Sequence, residues 1–198
     1  MQMFSGVRQP ALNRAQRWAN LLTVIALFFG VGIGLLIKDQ VLSNTVPFRD
    51  LAAGILARYP DGWLLDTEGD YVLRVRDPES GAFLTTLQVN VLSIGDDAEE
   101  RNILDTLSLQ RARTLAAYRL LRTEPVALPD GEPAIRFDYV FVATDENPFV
   151  EPIPVVVRAV DVVTIKRGQA IIVTFRVEAQ RFEDEIWRLD RFLASLEF

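Results

Sequence analysis

The residues of this chain that could do chemistry are carboxylates and guanidiniums, because it has neither histidine nor cysteine. Asp66, Glu68 and Asp70 stand at alternate positions with Asp77 further on, and oxygen donors at that spacing suit a calcium loop. The match fails where it is strictest. Tyr71 occupies the glycine position, and the twelfth position offers Asp77 in place of a longer Glu. A polar turn between strands is the better reading, so no metal site is expected. The missing side chains exclude disulfides, thiolate nucleophiles, imidazole-ligated zinc and a Ser-His-Asp triad. Carboxylate-dependent hydrolysis remains open in principle. No catalytic residue and no cofactor is expected.

A second group consists of Arg74, Arg76, Arg136, Asp138, Arg158 and Asp161, all on segments with strand periodicity. Cross-strand ion pairs on a solvated sheet face account for them. The functional alternative is an open groove that docks a peptide or another subunit. Asp145, Glu146 and Glu151 form an acidic loop that reads as solvated, with a basic partner as the alternative. Tyr59 and Trp63 read as core residues before they read as an exposed aromatic platform.

The elements that must carry these groups follow from the chain in order. Trp18 to Ile37 is an uncharged run bracketed by Arg17 and Lys38. About twenty helical residues span roughly 30 Å, the thickness of a bilayer's hydrocarbon core. Arg8, Arg14 and Arg17 precede the run with no acidic residue. The expectation is a single transmembrane helix over 18–38, a cytoplasmic tail over 1–17 and an extracytoplasmic domain, in a bacterial cell membrane. A cleaved signal peptide is the rival, but its apolar segment would be shorter and end at small residues, which the following KDQVLSNTVPF does not offer. Ala26, Gly30 and Gly34 recur every fourth residue and share a helix face, where small side chains let a second helix or a second copy approach.

Residues 39–47 read as a linker, and residues 48–198 are enough for one domain with its own core. The formal charge of −6 combines a basic first segment with a strongly acidic remainder, which argues against nucleic acid as a partner. Tyr71 to Arg76 and Phe83 to Leu92 alternate as a hairpin around Asp77 to Gly81. Asp96 and Asp97 could cap a helix over 98–116. Arg119 to Leu128 and Glu132 to Thr144 flank a turn, and Val155 to Ile165 pairs with Ala170 to Val177. Phe182, Ile186, Leu189, Leu193 and Leu196 form one stripe of a closing helix. Anchor, strands, helix, strands, helix is an α+β order: a mainly antiparallel sheet with packed helices.

Three stretches resemble PsbP-like domains: Tyr59-Pro60-Asp61-Gly62-Trp63 ahead of the first hairpin, Leu128 to Tyr139, and the closing Leu193 to Phe198. The resemblance covers about residues 48–198 and implies an α/β/α sandwich. It also implies the company of extrinsic photosystem II subunits, assembly factors and bacterial lipoproteins, with no family-wide active site. The expected function is a membrane-anchored, non-catalytic accessory or assembly subunit of a larger membrane complex, photosynthetic or respiratory. The alternative is a tethered ligand-binding domain or carboxylate-dependent hydrolase.

Overall fold

Hydrophobic alternation is densest between Leu73 and Val177, and that is where the sheet lies. The computed structural model describes residues 14–94, 100–144 and 153–198. The expected caps Asp96 and Asp97 and the acidic loop Asp145, Glu146 and Glu151 lie outside the described residues. The chain divides into two units, 1–44 and 45–198.

In the first unit a single helix, α1, runs Arg14–Ser43. Every described side chain from Trp18 to Gly34 is exposed. Among the described residues no helix is long and apolar enough to cross a membrane. This corrects the expected transmembrane helix over 18–38 and the single-pass localisation built on it. The helix also continues to Ser43 where a linker over 39–47 is expected, and the first strand begins at Thr45.

The second unit opens with a hairpin of β1 (Thr45–Asp50) and β2 (Ile55–Pro60), paired antiparallel from Thr45↔Pro60 to Asp50↔Ile55. Then come β3 (Leu64–Asp66), β4 (Leu73–Arg76), β5 (Thr86–Ser93), α2 (Glu100–Thr114), β6 (Ala116–Ala127), β7 (Pro133–Ala143), β8 (Val155–Lys166) and β9 (Gln169–Glu178). A 3-10 turn at Ala179–Arg181 leads into α3 (Phe182–Glu185) and α4 (Trp187–Ser195). The seven-stranded sheet has the order β3-β4-β5-β9-β8-β7-β6, and every neighbouring pair is antiparallel.

Because strand side chains alternate, the sheet has two faces, and each is buried differently. On one, Leu73, Val75, Leu87, Val89, Val173 and Phe175 pack with Phe182, Leu189 and Phe192 of the closing helices and with Ile55 and Ala57 of β2. On the other, Phe137, Tyr139, Phe141, Val157, Ala159 and Ile172 pack with Leu104 and Leu107 of α2. Each such Phe or Leu contributes about 1.5–3 kcal/mol when fully buried. Tyr59 and Trp63 belong to the first core. The closing stripe is buried as its spacing requires, at Phe182, Leu189 and Leu196, but the helix is divided at Ile186.

Candidate functional site

The α2 face is only partly covered, and the part left open is arginine-rich. Strand pairing sets the pattern: Arg76 stands opposite Thr86 on β5, and Thr86 opposite Arg176 on β9. Arg76, Thr86 and Arg176 therefore form one row across three strands. Arg74 begins the next row, opposite Gln88. With strands about 4.8 Å apart, the Arg76 and Arg176 backbones lie roughly 10 Å from each other, within reach of two long side chains converging on one group. These arginines line a cleft of about 360 Å³, walled on its apolar side by Ala82, Phe83, Leu84 and Val155. That volume falls in the range of ligand-binding clefts.

The three guanidiniums are held differently. Arg74 donates from Nε to Gln88 Oε1 at 2.9 Å and lies over the Tyr71 ring, 4.2 Å from its centroid. Arg76 pairs through Nη2 with Asp66 Oδ1 at 2.6 Å. The Nε atoms of Arg76 and Arg176 are buried and lack a hydrogen-bond partner among the described residues. An unsatisfied buried donor costs about 1–3 kcal/mol, more when charged, so such groups are places where a ligand oxygen is missed. Among the described residues, no carboxylate lines the cleft.

Beneath α2 the same face holds a closed polar cluster. The Asp161 carboxylate, fully buried, receives Arg111 Nη2 at 3.1 Å and the Tyr139 hydroxyl at 3.3 Å. Arg111 also donates to Thr174 Oγ1 at 3.4 Å. Burial drives the Tyr139 phenol above its ordinary value, and the Asp161 charge adds to this; Arg111 and Arg176 pull the other way without prevailing. Burial lowers the Arg111 value, but Asp161 and Tyr139 outweigh it and the net direction is upward. Arg111 thus stays charged, and Arg176 bears on both the cleft and the buried phenol.

The opposite face carries a second network. Arg188 on α4 reaches Asp77 Oδ2 at 2.9 Å and Glu185 Oε2 at 2.8 Å, and Arg181 donates to the Ser80 carbonyl at 2.6 Å. Arg188 also sits over the Trp63 ring, 5.3 Å from its centroid. This network ties the closing helices to the turn between β4 and β5, and its charges are consumed by one another.

These placements divide the six strand residues expected to share a docking face. Arg74, Arg76 and Asp161 lie on the α2 face, whereas Arg136, Asp138 and Arg158 lie on the α4 face. Arg136 pairs with Asp138 at 3.0 Å, and Arg158 reaches Glu183 at 2.9 Å while stacking over Phe182. Asp161 is spent on Arg111. What remains open is Arg74 and Arg76, joined by Arg176, whose signal was a lone charge in the apolar run Ala170 to Val177. Asp66 and Asp77 are drawn to separate arginines. Among the described residues no three side chains group as metal ligands. Ala26, Gly30 and Gly34 fall at one-turn spacing on exposed α1, with open space where a Cβ at either glycine would stand.

Comparison with solved structures finds the same fold elsewhere. The solution structure of cyanobacterial PsbP (CyanoP) from Synechocystis sp. PCC 6803 matches with a TM-score of 0.56 at 16% identity, over 78% of this chain and 92% of that one. The domain has the PsbP-like fold. The Saccharomyces cerevisiae Ran-binding protein Mog1p matches with a TM-score of 0.51 at 9% identity, over 78% of this chain and 95% of its own. LpqN of Mycobacterium tuberculosis, involved in cell envelope biogenesis, matches with a TM-score of 0.52 at 13% identity, over 81% and 95%. No family model and no curated protein matches the chain. At these identities the PsbP-like likeness is one of fold, and the arginine cleft is a property of this chain's own residues.

Proposed function

We propose that the protein is a non-catalytic accessory or assembly subunit of a larger protein complex, its PsbP-like domain serving as the docking module. The observation that carries this reading is the cleft of Arg74, Arg76 and Arg176, a recognition surface with no acid–base pair among its described lining residues. The fold's neighbours support it, since they include a Ran-binding protein and a cyanobacterial PsbP. The resemblance to PsbP-like domains favours a photosynthetic or respiratory assembly. Ala26, Gly30 and Gly34 would add a helix-packing contact, to another subunit or to a second copy.

Crosslinking the tagged protein in its native cells, followed by non-denaturing purification, tests the reading. A defined larger assembly is expected. Recovery of a lone 22.3 kDa species under both conditions overturns it. Gly30→Leu with Gly34→Leu should weaken any helix-mediated association measured by crosslinking yield, and an unchanged yield removes the small-residue face from the account.

A ligand-binding domain is the second reading, favoured by the same cleft. The hydrolase form of that alternative lacks the converging carboxylates it would need among the residues that line the cleft.

A further inference from the structure

We infer that the arginine cleft takes an acidic segment of a partner protein, with a Glu or Asp carboxylate between Arg76 and Arg176 and the adjoining apolar side chain against Phe83, Leu84 and Val155. This rests on the docking-module reading and adds the chemistry of what is docked.

Four observations converge. Arg76 and Arg176 occupy one row across β4, β5 and β9 and line the same cleft. Both keep a buried Nε without a partner, a donor that a carboxylate oxygen would satisfy. Among its described lining residues the cleft's charge is positive although the chain as a whole is acidic: Asp66 engages Arg76, and no ion pair among the described residues takes up Arg176. Finally, Ala82, Phe83, Leu84, Ala143 and Val155 supply half of the lining residues, an apolar wall that a bare inorganic anion would leave unused. A carboxylate carried beside an apolar side chain uses both halves.

Edge pairing is a poorer route for a partner. Strand β6, the long edge, is broken by register shifts between Ala116 and Arg119 and between Leu120 and Arg122. It also carries Pro125 and two arginines, features that discourage strand addition. The opposite edge, β3, has only three residues.

The test measures binding of the full chain to an array of labelled, capped hexapeptides at low salt. Each peptide places Glu beside Phe, Leu or Val, and each has a counterpart with Gln replacing Glu. Acidic members should bind more tightly than their Gln counterparts. Arg176→Gln should weaken them about tenfold, the worth of one charge-assisted hydrogen bond. Arg76→Gln, at a more exposed side chain, should do the same and guards against a folding defect in the first variant. Phe83→Ala should weaken the Glu-Phe peptides and leave binding of inorganic phosphate unmoved. Equal affinity for Glu and Gln peptides overturns the inference, as does displacement of the peptides by inorganic phosphate at comparable concentration, which would mark a plain oxyanion site. If a complex assembles in cells and ignores Arg76→Gln and Arg176→Gln, the docking function stands and this site falls. If the peptides bind as described and no complex exists, the site stands and the function falls.

Discussion

Asp161 shows what one buried charge demands of its surroundings. Its carboxylate is fully buried and depends on Arg111 and Tyr139. Removing one partner of such a pair costs about 3–5 kcal/mol, because the other is left charged and dry. Asp161→Ala should therefore lower the unfolding free energy by about that amount in urea titration, whereas Arg122→Ala, at an exposed pair with Glu124, should cost far less. Tyr139 adds a pH dependence. In the folded state its phenol keeps its proton well above the ordinary value, but the unfolded chain releases it near pH 10, so there the unfolded state binds fewer protons. The contribution is complete below about pH 10 and declines as the pH rises beyond it. Tyr139→Phe should flatten that alkaline limb, and an unchanged slope would dismiss the assignment. The position of Asp161 on a strand was legible in the sequence; its partner was not. Val155 to Ile165 is apolar on both faces, so periodicity could not say which way Asp161 turned. The available clue was Arg111, which interrupts the apolar stripe of α2.

The elements divide along the same line between strong and weak local signal. The hairpin of β8 and β9 was readable because two apolar runs flank Lys166-Arg167-Gly168-Gln169. Arg167 and Gly168 both take positive φ, +51° and +73°, as a tight two-residue hairpin turn requires. A Cβ at Gly168 would meet nothing within 4 Å, so Gly168→Ala should cost only the backbone strain, about 1 kcal/mol. A loss several times larger would mean that the turn has contacts not apparent here. Strands β1 and β3 were hidden: Pro47 and Arg49 mask the alternation of one, and three residues are too few to show a period in the other. The closing helix was legible as a stripe, but its division at Ile186 and the burial of Phe192 were not. Arg188 in this helix bridges Asp77, from a distant stretch of chain, and its near neighbour Glu185. Arg188→Ala strands Asp77 in a buried setting and leaves Glu185 with Arg181 alone. It should cost about 3 kcal/mol or more, read as a lowered urea midpoint with an unchanged m-value.

For the whole molecule, the question is whether residues 45–198 need anything that precedes them. Both cores are built within that range, one from Val46 to Phe198 and the other from Phe83 to Ile172. The hairpin of β1 and β2 is held from the far end of the chain: Leu56 exchanges backbone hydrogen bonds with Glu197 at 2.9 and 2.8 Å, and the Arg58 amide donates to Ser195 Oγ at 3.0 Å. The first and last elements of the unit thus close on each other, and a chain begun at Asn44 retains every one of these contacts. A unit of this size with two helix-covered sheet faces buries enough surface to fold alone. The fragment 44–198 should then unfold cooperatively, with a midpoint within a few degrees of the full chain's domain transition and the same near-ultraviolet circular dichroism. The fragment carries the whole arginine cleft, so its affinity for acidic peptides should equal that of the full chain. A fragment that unfolds without cooperativity, or folds and loses peptide affinity, would show that α1 contributes to the domain itself. A fragment that folds and binds as the full chain does would assign recognition to residues 45–198 and leave α1 to a separate task.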